Sequence, residues 1–189
     1  MFFRWSTAIG TFVLDGILLV LMLLIARGLP LRDAFALRRP ASWSDAGRLA
    51  LVAIGAIYLT SYVLEVTVGH AEREQALPQY FDAARLAPFL ANALAVAVFV
   101  PIVEESMCRG IGFHLLEPWG RNVAIAGTAV AFALAHGAVL DFPWVLVTGL
   151  GLGYLRAVTG SIYPCLALHA AVNGVALLAS ALLAPTIAV

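Results

Sequence analysis

Residues 86–116 read LAPFLANALAVAVFVPIVEESMCRGIGFHLL, an apolar stretch interrupted by Glu104, Glu105 and Arg109 and carrying Pro101 in its interior. A hydrocarbon core of about 30 Å is crossed by roughly 20 residues of helix, so this stretch is long enough to span a bilayer. Working outward, five further apolar runs follow the same pattern: Trp5 to Ala26, Leu49 to Gly69, Asn122 to Leu140, Trp144 to Thr159, and Ile162 to Leu183. Unpaired backbone polar groups cannot face lipid, and nothing here has the ten-residue alternation of a barrel strand, so the runs are read as helices. The expected fold is all-α, a polytopic transmembrane bundle of about six spans forming a single membrane domain over 1–189.

Composition agrees. Of 189 residues, 62% are apolar and 12% charged, against about 45–50% and about 25% in ordinary soluble domains. The formal net charge is zero. Phosphate binding needs a clustered basic surface, so nucleic acid is excluded as a partner and membrane lipid is the expected environment. Cys108 and Cys165 lie in apolar segments with no metal-ligand spacing and read as small hydrophobes. The first run is read as a retained span, because it contains Asp15 and Arg27-Gly28-Leu29-Pro30 is not a small-residue cleavage site. The breaks between runs are turns at Glu117-Pro118-Trp119-Gly120, Asp141-Phe142-Pro143 and Thr159-Gly160-Ser161.

An ionisable side chain at membrane depth costs at least about 2.5–3.5 kcal/mol, so each one is a candidate functional residue. Glu105 and Arg109 are four apart, share a helix face, and have the acid N-terminal to the base, the better orientation for pairing. Glu104 is turned about 100° from Glu105 and points away from that pair, which suits a general base. His136 lies four residues after Phe132, and His169 four before Asn173, so the last two present donors in one direction a turn apart. Glu104 and His136 lie at similar distances, roughly 22–25 Å, from the turn at Gly120 and are expected to meet across the hairpin. His70, His114, Asp15 and Glu65 read as structural or snorkelling residues.

These residues carry a family resemblance. Glu104-Glu105-Ser106-Met107-Cys108-Arg109, Phe132 to His136, and His169 to Asn173 resemble, in order and spacing, the three motifs of the CPBP (Abi) intramembrane proteases, which include the CAAX-processing endopeptidases. The resemblance covers roughly Leu90 to Asn173. It makes 86–183 the catalytic core and 1–69 accessory spans. One departure is Cys108, where an aromatic residue commonly precedes the arginine. The resemblance implies peptide-bond hydrolysis in or near the bilayer of a bacterial inner membrane. Glu104 and His136 would activate a water while His169 and Asn173 stabilise the oxyanion, with Glu105 and Arg109 completing the site. The implied substrate is a protein or peptide, lipidated or carrying a C-terminal membrane anchor.

No cofactor is required by this reading. Zinc stays open: Glu104, His136 and His169 would make a three-ligand set with an open fourth position and Glu105 as base, although there is no His-Glu-x-x-His helix. The competing function is an ion- or proton-coupled carrier using the same carboxylates and histidines, which inverted repeats would favour; none is visible.

Arginine placement orients the chain, because positive residues near helix ends are retained on the cytoplasmic side. Arg27, Arg32, Arg38, Arg39 and Arg48 share the first loop, and alternate threading brings Arg121 and Arg156 to the same side, leaving Arg4, Arg73 and Arg85 opposite. A reporter fused after Leu183 is therefore expected to read as non-cytoplasmic and one inserted at Arg38 as cytoplasmic; the reverse pattern would overturn the threading.

Overall fold

The computed structural model describes residues 2–68 and 81–183. Gly69, His70, Glu72, Arg73 and Glu74 lie outside the described residues. Six long helices stand where the sequence has six apolar runs: α1 Trp5–Ile25, α2 Trp43–Val68, α3 Ala83–Trp119, α4 Arg121–Ala135, α5 Phe142–Thr159 and α6 Tyr163–Leu183. No strand occurs among the described residues. Four of these helices, α1, α2, α3 and α6, are long and apolar enough to cross a membrane. The chain is an integral membrane protein: α1 turns Ile17, Leu21 and Leu24 outward at 50% exposure or more, and α2 does the same with Val52 and Leu59. Such apolar faces are covered by lipid.

Two boundaries differ from the runs. The second helix begins at Trp43 rather than Leu49, because Ser42 Oγ accepts from the Asp45 amide at 3.2 Å and so caps the first turn. The fourth ends at Ala135 rather than Leu140. Its 15 residues rise only about 22 Å, less than the hydrocarbon thickness. Gly137, at φ +64°, turns the chain away directly after it.

The described residues pack as two compact units that interleave along the chain. The first unites 1–27, 76–103 and 169–189. Here α1 lies on the first half of α3, around a core of Phe3, Phe89, Leu177 and Ala181. Phe3 and Phe89 stack at 5.3 Å between ring centroids, and Phe81 meets Phe89 edge-on at 5.5 Å. Asn92, 1% exposed, donates through Nδ2 to the carbonyls of Phe2, Arg4 and Pro88 at 2.8–3.0 Å, tying the start of the chain to α3.

The second unit unites 28–75 and 104–168, with α5 packed on both α2 and α4. Glycines set these approaches. Cβ atoms added at Gly149 and Gly153 would meet the backbone of α4 at Ala129 and Ile125, 3.0 and 3.4 Å from the respective Cα atoms. One at Gly151 would meet Ala53 Cβ of α2 at 3.1 Å. Residues four apart thus face α4 while the one between them faces α2, the small-residue packing that lets membrane helices touch backbone to backbone. The segment before α2 makes one helical turn, Leu31–Ala34, and is pinned to the end of α5. Arg38 Nε donates to Gly160 O at 2.9 Å and the Ile162 amide to Ala36 O at 3.2 Å. The loop after the first run and the turn after the fifth are therefore on one side, as the alternate threading requires.

This packing is sensitive to a single methyl group. Gly149→Ala is expected to lower stability by about 1–3 kcal/mol, since backbone atoms of α4 cannot step aside. Gly55→Ala, with nothing within 4 Å of the added carbon, is expected to be neutral or slightly stabilising. Unfolding of the two variants in detergent separates them, and equal midpoints would refute the close approach.

Candidate active site

Helix α3 carries the acidic pair, and its ladder is broken twice. Residues Ala95–Phe99 and Ser106–Gly112 are π-helical, a geometry that recurs at functional sites. The first has a covalent cause. The Val100 amide donates to Ala95 O, five residues back; the next amide in that register would be residue 101, which is a proline and has no N–H to give to Val96 O. Asn173 of α6 supplies the missing donor, with Nδ2 3.1 Å from Val96 O.

The second break surrounds the motif itself. At Gly110 the backbone leaves helical geometry (φ −81°, ψ −105°), and the Phe113 amide donates to Cys108 O and Gly110 O, passing over Arg109 O. Arg156 of α5 takes that carbonyl, Nε to O at 3.0 Å, and its guanidinium lies over the Phe113 ring at 4.8 Å. Glycine is needed at 110 because Phe35 from the loop presses there: an added Cβ would stand 2.8 Å from its ring and 3.4 Å from its Cα.

Glu104 and Glu105 sit between the breaks, and Arg109 inside the second. Arg109 and Glu105 are both fully buried, with Nη1 and Oε1 3.2 Å apart, so the pair predicted from the four-residue spacing is formed. Arg109 Nη2 also donates to Gly149 O at 2.8 Å, joining α3 to the glycine-lined face of α5. Its guanidinium lies 4.6 Å from the centroid of Phe132, and on that ring's other contact the His136 imidazole approaches to 4.5 Å between centroids. The two motif elements are thus linked through Phe132. Glu104, half-buried, is the penultimate residue of the α-helical segment Val100–Glu105.

His136 follows the last residue of the short helix α4, and its Nδ1–H donates to Phe132 O at 2.8 Å. The side chain therefore bonds a carbonyl in the last turn of its own helix. A carbonyl can only accept, so in this contact Nδ1 carries the hydrogen and the neutral ring has its lone pair on Nε2. His169 is 4% exposed on α6, one turn before Asn173, which is half-buried. Glu104, Glu105, Arg109 and His136 belong to the second unit, His169 and Asn173 to the first.

Cys108 and Cys165 are buried free thiols, and Cys165 Sγ donates to Leu152 O at 3.4 Å. Among the described residues no three His, Cys, Asp or Glu side chains gather as a metal site. Glu104 and His136 belong to one unit and His169 to the other, and no step is routed through a metal. Sequence reasoning passed over Asn92 and counted Arg38 and Arg156 only as loop-side charges.

These features define a class first: a helical integral membrane protein with an acid–base cluster buried among its helices. Residues 86–175 match the family of type II CAAX prenyl endopeptidases described as Rce1-like, and that stretch of the chain is similar to this CAAX protease family. The match spans all three motifs, from the start of the first segment of α3 to just past Asn173. No curated protein and no solved structure matches the chain.

The buried pair makes a two-part prediction. Arg109→Ala is expected to cost about 3–5 kcal/mol, because Glu105 is left charged in an apolar setting. The double change Glu105→Gln, Arg109→Met is expected to recover part of that loss. Folded yield and detergent unfolding of the three variants would show it, whereas strictly additive losses would mean the two side chains are energetically independent.

Proposed function

We propose that the chain is an intramembrane endopeptidase that hydrolyses a peptide bond near or within the bilayer, with Glu104 and His136 activating the attacking water. The observation that carries this reading is the contact of His136 Nδ1 with Phe132 O at 2.8 Å. With Nδ1–H held by Phe132 O, Nε2 is the ring's acceptor, which is what a proton-accepting imidazole must offer. The Glu105–Arg109 pair supports it by neutralising one of two adjacent carboxylates, so that Glu104 can act as base beside a compensated neighbour rather than beside a second negative charge.

His169 and Asn173 stabilise the oxyanion. Asn173 spends one amide hydrogen on Val96 O and keeps the second, so the helix brace and the oxyanion contact are compatible on one side chain. Donors held rigidly in a low-dielectric site are strongest where charge develops during reaction. The family description names prenylated CAAX substrates, and the substrate proposed here is a peptide that is lipidated or carries a C-terminal membrane anchor, entering from lipid.

The test uses the purified full-length protein in lipid nanodiscs, a fluorogenic farnesylated peptide ending in a CAAX sequence, and its unprenylated twin. Cleavage of the farnesylated peptide is expected, with Glu104→Gln, His136→Ala and His169→Ala losing nearly all turnover while staying folded. Asn173→Ala should retain measurable activity after a loss of about 10²–10³, the cost of one oxyanion donor. Full cleavage by Glu104→Gln would overturn the assignment.

A further inference from the structure

Arg156 is 3% exposed and, among the described residues, forms no ion pair. A buried guanidinium is costly unless its contacts serve something. Its contacts here are two: Nε to Arg109 O, and the face of Phe113. The carbonyl it holds is one that the Phe113 amide passes over, and it belongs to the residue whose own side chain pairs with Glu105 and bonds Gly149 O. One peptide plane is thus fixed from both ends, by Arg156 on its oxygen and by Arg109's side-chain bonds.

We propose that Arg156 is a positioning residue for the Glu104-Glu105 segment, acting through the Arg109 carbonyl to lock the break at Gly110 in the orientation that aims the acidic pair. It rests on the peptidase reading for its effect on turnover, but its effect on the backbone does not. Without the Nε–H donor, Arg109 O must seek a new partner inside an apolar helix, and the nearest remedy is a shift of the π-helical segment back toward regular α-helix. Because residues 106–112 follow Glu105 directly, that shift rotates the carboxylates. The distances involved are small, yet displacements of about 1 Å remote from the reacting atoms can cost about 10² in rate.

The bond count of the side chains gives a clean experiment. Arg156→Gln puts an amide nitrogen at the same number of bonds from the backbone as Nε and removes the charge; Arg156→Met puts a methyl group there and offers no donor. In the farnesylated-peptide assay Arg156→Met is expected to lose about 10² in kcat with KM changed less than about threefold. Arg156→Gln is expected to stay within about fivefold of wild type in both, a smaller change because the donor survives. Hydrogen exchange across 108–116, read by mass spectrometry in nanodiscs, should rise in the methionine variant and match wild type in the glutamine variant.

Equal loss in both variants would overturn the proposal, showing that charge or the ring contact matters and the hydrogen bond does not; wild-type behaviour of both would overturn it as well. Should the methionine variant fail to accumulate, the glutamine variant decides alone: preserved kcat and exchange uphold the donor role, and a loss of about 10² refutes it. If the wild type cleaves nothing, the peptidase reading fails by itself, and the exchange comparison still tests the lock.

Discussion

A helix in lipid must satisfy every backbone polar group from within the protein, and helix α3 cannot do so alone. Pro101 has no amide to offer, and the chain leaves helical geometry at Gly110. Val96 O loses its ladder donor and Arg109 O is passed over by the Phe113 amide, in surroundings where an unsatisfied group costs several kcal/mol. Each is recovered by a side-chain donor from a later helix, Asn173 in one unit and Arg156 in the other. The irregularity of α3 and the polar residues of α5 and α6 are one requirement seen from two ends.

That requirement explains why the acidic motif sits where it does. A regular α-helix closes on itself and needs no neighbours for its backbone. A helix with π-helical segments must instead be held by partners, and those partners fix its rotation. Glu105 lies between Val96 and Arg109, and the arginine extends the bracing by bonding Gly149 O on the face where glycines let α5 approach α4. Phe132 then carries the arrangement onward, touched by both Arg109 and His136. A buried ion pair contributes little stability on average. Here its value lies in the geometry it imposes on three helices of one unit.

His136 stands where α4 stops. The helix ends at Ala135 and Gly137 turns the chain away at φ +64°, so the imidazole sits in the last turn with Nδ1 2.8 Å from Phe132 O. A carbonyl only accepts, so that contact places the hydrogen on Nδ1 and leaves Nε2 as the ring's acceptor.

The sequence by itself determined the helical membrane class, because runs of apolar residues as long as 86–116 are incompatible with water and with sheet edges in lipid. It determined the Glu105–Arg109 contact, since four residues is about one helical turn, and its three spaced motifs carried the family likeness. What it left to the tertiary structure were quantities with no short-range signature. The start of α2 at Trp43 rested on a serine cap, and the early end of α4 on a left-handed glycine, each a local choice that apolar periodicity does not register. The role of Arg156 was not legible at all: its bond to Arg109 O joins residues 47 apart in the chain. Pro101 and Gly110 announce that carbonyls will be released, but which side chain reaches them depends on how closely α5 and α6 pack, and only the folded chain decides that.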